Sequence, residues 1–255
     1  MLKFFRKIRQ NLLSEEKTGK YFKYAIGEII LVVVGILIAL SINNWNEKRK
    51  IRDSEIIYLN NIKRDLQLSI TEMNQFIDRQ NSLINSANTV LEHFNGKPVD
   101  DWNSFNKHLV DIYTWKSFYL IDNTYQELNN SGNFAIISND SIKNDLLNLD
   151  LLYKKLKHTE NHWRKDVEHT LHPGSYEKQD ISSMSRNYLF QMSNGKMGVF
   201  GNLTEETFGD IFKDQKQKNG FALATLDFGG MNGTFLEMTK KCEELISLID
   251  NELSK

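Results

Sequence analysis

"YAIGEIILVVVGILIALSINNWNEKRK", residues 24–50, is apolar from Ala25 to Ile42 except for Glu28 and Ser41, and ends in Trp45 and a cluster of basic residues. Tyr24 to Ile42 is 19 residues. As an α-helix it is about 28 Å long, close to the hydrocarbon thickness of a bilayer. A core helix of a soluble protein is rarely apolar on all sides for this length. Tyr21, Phe22 and Tyr24 stand at one edge and Trp45 at the other, as interfaces favour. A cleaved signal peptide has a shorter apolar core and a small-x-small cleavage site. Ser41-Ile42-Asn43 followed by Asn44-Trp45 fits that pattern poorly. The stretch therefore reads as an uncleaved membrane anchor.

Charge sets the expected orientation. Lys3, Arg6, Lys7, Arg9, Lys17, Lys20 and Lys23 precede the span, and Lys48, Arg49, Lys50 and Arg52 follow it. The larger basic cluster belongs on the cytoplasmic side. Residues 1–42 carry seven basic and three acidic groups, net +4; the whole chain is −1, so the remainder is −5. "MLKFFRKIRQNLL" is itself amphipathic and suits an anionic lipid surface. The expected organisation is a cytoplasmic basic amphipathic segment at 1–20, a transmembrane helix at 21–45 and an exported domain at 46–255. Cys242 is the single cysteine, so no intramolecular disulfide forms.

The first 50 residues, with their "YAIGEI…LVV.GILIAL.INNWNE" pattern, and the later "TYQELNNSGNFAIISNDSIKNDLL" (124–147) resemble an uncharacterised family of small single-pass bacterial membrane proteins. The resemblance implies a membrane location in Gram-negative bacteria. The family brings no known activity, cofactor or catalytic residue.

Beyond Trp45 the pattern is helical. With Leu59 as heptad position a, the a row holds Leu59, Leu66, Met73, Ala87 and Phe94, the d row Ile62, Phe76, Leu83 and Val90, and the e row Ile56, Ile70, Ile77, Ile84 and Leu91. Three apolar rows are the face of a helix in a bundle. The chain has no breaker between Tyr24 and Phe94, so anchor and first bundle helix are expected to be continuous. Gly96 and Pro98 end it. Further helices are expected at "DDWNSFNKHLVDIYTW", capped by Asp100 or Asp101; at "NTYQELNNSG"; from Asn139 or Asp140 to just before Pro173; and from about Asn219 onward, where Gly229, Gly230 and Gly233 suggest a kink or a close neighbour. Residues 174–218 are the least legible, with "NGKMGVFGNLT" a loop or small hairpin. The expected fold is all-α: an N-terminal transmembrane helix continuing into an extramembrane antiparallel helical bundle.

His158, His162, His169 and His172 fall on one helix face about 80° wide. His158 and His162, four apart, have two-ligand clamp spacing and are the metal or pH-sensing candidates. The core residues Leu156, Trp163 and Val167 lie on the other side, so a solvated face is the plainer reading. No third ligand or HExxH pattern completes a metal site, and no catalytic residue, cofactor or metal is assigned. "NGKMGVFGN" lacks the GK[ST] of a phosphate loop, and no G-x-S-x-G elbow occurs. Basic groups beyond residue 52 are scattered, which argues against nucleic acid as a partner. In the span, Glu28, Gly35 and Ala39 share a stripe, and Gly35 and Ala39 form a small-xxx-small pair. That stripe is the candidate transmembrane association face, for a second copy or another membrane protein. Glu28 alone also reads as a border carboxylate reaching the interface. The expectation is a non-enzymatic, membrane-anchored interaction or sensory module on the bacterial inner membrane, N-terminus cytoplasmic and bundle periplasmic, with the lipid bilayer as its first partner. The alternative is a membrane-tethered enzyme with its site in the bundle or in 174–218.

Overall fold

The computed structural model describes residues 18–255; the basic amphipathic segment expected at 1–20 lies, up to residue 17, outside the described residues. The described chain is all-α. Its helices are α1 (Thr18–Phe94), α2 (Trp102–Tyr113), α3 (Asn123–Asn130), α4 (Asp140–Lys178), α5 (Ile181–Met192) and α6 (Gln215–Leu253), with short 3-10 turns at Asn133–Ile136, Glu205–Phe208 and Ile211–Lys213. Two compact units divide the described residues, with the boundary between Ile57 and Tyr58. As expected, α1 is one unbroken helix of 77 residues.

In the first unit, α1 carries the stretch that, among the described residues, is long and apolar enough to cross a membrane, and no residue of that apolar window is buried. Ile29, Leu31, Val33, Ile36, Leu37, Leu40 and Ile42 are all exposed. Apolar residues are thus exposed on every side of this segment, over a length that could cross a membrane.

The second unit is built on α1, α4 and α6. Contacts of α1 with α6 pair Lys63 with Asp250, Met73 with Thr239, Asn81 with Asn232 and Phe94 with Phe221. Those of α4 with α6 pair Asp145 with Lys241, Lys155 with Glu237 and Trp163 with Phe228. Thus α6 is antiparallel to both, and α1 and α4 run in the same direction. The antiparallel expectation holds for α6 against both, and for α2 and α3 against α1, where Ser86 meets Asp111 and His93 meets Phe105, and Asp65 meets Thr124 and Tyr58 meets Glu127; α1 and α4 are the parallel pair. The return from α1 to α4 is made by α2, an extended stretch at 115–122, and α3.

Leu59, Leu66, Met73 and Ala87 of the a row, and Ile62, Leu83 and Val90 of the d row, are buried. Two skipped places in that pattern carry polar residues that the fold uses. Ser69, in the d row, donates to the Ile121 carbonyl and accepts from the Ile121 amide. Gln80, in the a row, donates to Met231 Sδ. Asp65 accepts from both the amide (2.9 Å) and the hydroxyl (2.7 Å) of Thr124. It thereby occupies orphan donors at the start of α3, which the preceding Asp122 side chain does not cap. The connecting stretch is thus held to α1 by side chains, because it has no ladder of its own.

Two boundaries differ from expectation. Helix α4 passes through Pro173 and ends at Lys178. Proline removes one backbone bond, yet tertiary packing holds the last turns: a Cβ on Gly174 would lie 2.1 Å from Gln217 Nε2, and one on Gly220 2.5 Å from Leu171 Cδ2. Bare backbone lets α4 and α6 close together here, and the Ser175 hydroxyl adds a bond to the Leu171 carbonyl. Helix α6 begins at Gln215, ahead of Asn219, because Asp214 accepts from the amides of Lys216 and Gln217. Gly229, Gly230 and Gly233 are exposed, and a Cβ on any of them would meet nothing within 4 Å; α6 runs through them unbroken. Residues 174–218 contain α5, capped by Asp180, and two 3-10 turns. "NGKMGVFGNLT" is a loop, with no strand among the described residues.

Candidate cation site on the α4–α6 seam

Trp163 on α4 is fully buried and meets Phe228 of α6 at 5.0 Å between ring centroids. Val167, one turn on, is buried too. These inward residues fix the rotation of both helices. The residues immediately before them, His162, Asp166 and Asp227, consequently line the edge of the seam. His162 and Asp166 are four apart and so stack on one side of α4; Asp227 comes from α6.

Among the described residues, a nitrogen of His162 and one oxygen each of Asp166 and Asp227 converge within 4.8 Å of one another. His162 Nδ1 lies 3.4 Å from Asp166 Oδ2 and 3.3 Å from Asp227 Oδ1. The imidazole is 58% exposed, while the carboxylates are 22% and 13% exposed. Asp166 Oδ2 and Asp227 Oδ2 are shielded from solvent and make no hydrogen bond. Burial, first, holds the Asp227 carboxyl above the usual carboxylate range; His162 opposes this shift and Asp166 adds to it.

Of the two histidine candidates, His162 takes part and His158 does not. The i, i+4 partner of His162 is Asp166, one turn further along. That spacing stands in the sequence beside the His158–His162 one. Asp227 could not have been found there, since it is 65 residues from His162 and on another helix. His169 is exposed, and its Nδ1 pairs with the Lys165 carbonyl of its own helix. His172 instead stacks on Tyr113 and Tyr176 beside a cleft of about 270 Å³.

A second constellation unites Ser86, His108 and Asp111. Ser86 Oγ donates to Asp111 Oδ2 at 2.8 Å and lies 3.1 Å from His108 Nδ1. The order is wrong for nucleophilic catalysis, in which the serine gives its proton to a histidine held by the carboxylate. Asp111 also accepts from Lys107 and Tyr188, and Ser86 is buried. This network ties α2 to α1 and α5. In the cleft, Ser175 pairs with Tyr113 and Leu171 rather than with a histidine ring.

Within the apolar window of α1, Gly35 and Ala39 are exposed, and a Cβ on Gly35 would meet nothing within 4 Å. The stripe is sterically open to a partner helix.

Residues 28–176 match the model of a family of unknown function, DUF6090. The match starts within the apolar stretch of α1 and takes in His162 and Asp166 but stops short of Asp227. No curated protein and no solved structure matches the chain.

Proposed function

Because the chain belongs to DUF6090, a family of unknown function, we propose from its own residues that it is a membrane-anchored, non-enzymatic sensory or interaction module. The observation that carries this is the apolar window of α1, of which no residue is buried. Exposed apolar surface of that extent costs about 25 cal/mol for every Å² left in water, and a bilayer removes the cost. The basic excess before Tyr24 supports a cytoplasmic N-terminus, and hence a bundle on the periplasmic side of a bacterial inner membrane. The wiring of Ser86 toward Asp111 supports a structural rather than catalytic use of the bundle's polar groups. Glu28, Gly35 and Ala39 supply the face for self-association or for a membrane partner.

Two measurements on cells test the reading. The full chain should stay in the membrane pellet after carbonate extraction. An alkaline phosphatase fused after Lys255 should be active, and a cytoplasmic reporter fused there should be dark. Release by carbonate refutes the anchor, and the opposite pair of reporter signals refutes the orientation.

A further inference from the structure

We infer that His162, Asp166 and Asp227 bind one divalent transition-metal cation, which clips α4 to α6. The distances carry the inference. A charge-assisted N–H···O bond is about 2.7–2.9 Å long, and both contacts of His162 Nδ1 are longer, at 3.4 Å and 3.3 Å. Two ligands each about 2.0–2.1 Å from zinc at the tetrahedral angle lie about 3.3–3.4 Å apart. His162 thus stands from each carboxylate at the separation that a shared metal imposes, rather than at that of a closed ion pair, and all three ligand atoms lie within 4.8 Å of one another.

The donor chemistry narrows the ion. One imidazole nitrogen and two carboxylate oxygens suit zinc and its neighbours in the first transition row. Calcium takes about six to eight oxygens, and magnesium keeps most of its water. Two carboxylates offset the cation's charge, which relieves two acids crowded together at the edge of a low-dielectric core. The two shielded oxygens that lack hydrogen bonds give the carboxylates acceptor capacity in reserve. His162, being more than half exposed, leaves the fourth coordination position to solvent, as in an open three-ligand site. Because the ligands come from two helices, binding couples cation concentration to the α4–α6 packing. This deepens the sensory reading and rests on it for its purpose, but metal uptake itself does not depend on the anchor.

The test is titration of zinc chloride into the full chain in detergent, followed by calorimetry. One ion should bind per chain. His162→Ala and Asp227→Asn should each weaken binding at least about tenfold, since even outer partners of a metal site are worth that much. His158→Ala should leave it unchanged, and millimolar magnesium should not compete. Amide exchange across 160–167 and 225–229 should slow when zinc is added. His162 is exposed, so His162→Ala should keep the wild-type circular dichroism and melting point, which separates a lost ligand from a lost fold. No saturable uptake by the wild type, equal affinity in the two ligand variants, or loss of binding in His158→Ala each overturns the site. A chain that fails to bind zinc yet resists carbonate extraction loses the site and keeps the anchor; the reverse result loses the anchor and keeps the site.

Discussion

Removing the carboxylate of Asp65 should loosen the return from α1 to α4 more than any surface change. One oxygen of Asp65 receives two bonds, from the Thr124 amide at 2.9 Å and the Thr124 hydroxyl at 2.7 Å. Both residues are buried, Asp65 at 6% and Thr124 at 7% exposure, so water replaces the lost acceptor poorly. Hydrogen bonds to a charged group are worth about 1.5–3 kcal/mol each, and a buried donor left unpaired costs about 1–3 kcal/mol. Part of this is recovered when the Thr124 hydroxyl rotates toward another acceptor. Asp65→Ala should therefore cost about 2–4 kcal/mol, which lowers the melting point of a domain this size by about 5–15 °C. Asp65→Asn keeps one acceptor without the charge and should fall between the wild type and Asp65→Ala. Urea midpoints of the full chain in detergent, read by near-ultraviolet circular dichroism, measure the loss. A shift of less than about 0.5 kcal/mol for Asp65→Ala, the size of an ordinary surface change, would refute the claim that this carboxylate holds the start of α3.

Gly35→Ile and Glu28→Leu should each weaken association of the span in a bacterial two-hybrid assay, while Val33→Ile should not; equal signals from all three and the wild type remove the association face. Burial pushes the Cys242 thiol up to about 12, and the residue is fully shielded, so maleimide should label native protein slowly and urea-unfolded protein fast; rapid native labelling refutes the buried assignment. Burial likewise raises the Tyr113 hydroxyl from 10.0 to about 12. The unfolded chain gives up this proton first, so the stability tied to it is complete below pH 10 and is lost as pH rises toward 12. Tyr113→Phe should flatten the fall in urea midpoint over that range, and an unchanged slope counts against it.

The long apolar run, the continuity of α1, an aspartate cap on α2 at Asp100 or Asp101 and the apolar rows of the bundle were legible in the sequence because each rests on local spacing. A helix buries what recurs every three or four residues, and a bilayer-long apolar run needs no partner to be recognised. The sequence also holds the signs of what it could not explain: Ser69 and Gln80 sit as polar gaps in the d and a rows, and only the structure shows them binding Ile121 and Met231. Pro173 marks a helix end by local rules, and Gly174 and Gly220 overrule it by letting α4 and α6 pack closely enough to hold the last turns. The candidate site divides in the same way. His162 and Asp166 are a helical pair visible from their spacing alone, whereas Asp227 joins them only because Trp163 and Phe228 lock the register of two distant helices. Periodicity fixes which face of a helix turns inward; which residues of two helices then meet depends on the interlocking of large side chains, a property of the packed pair that neither segment carries by itself.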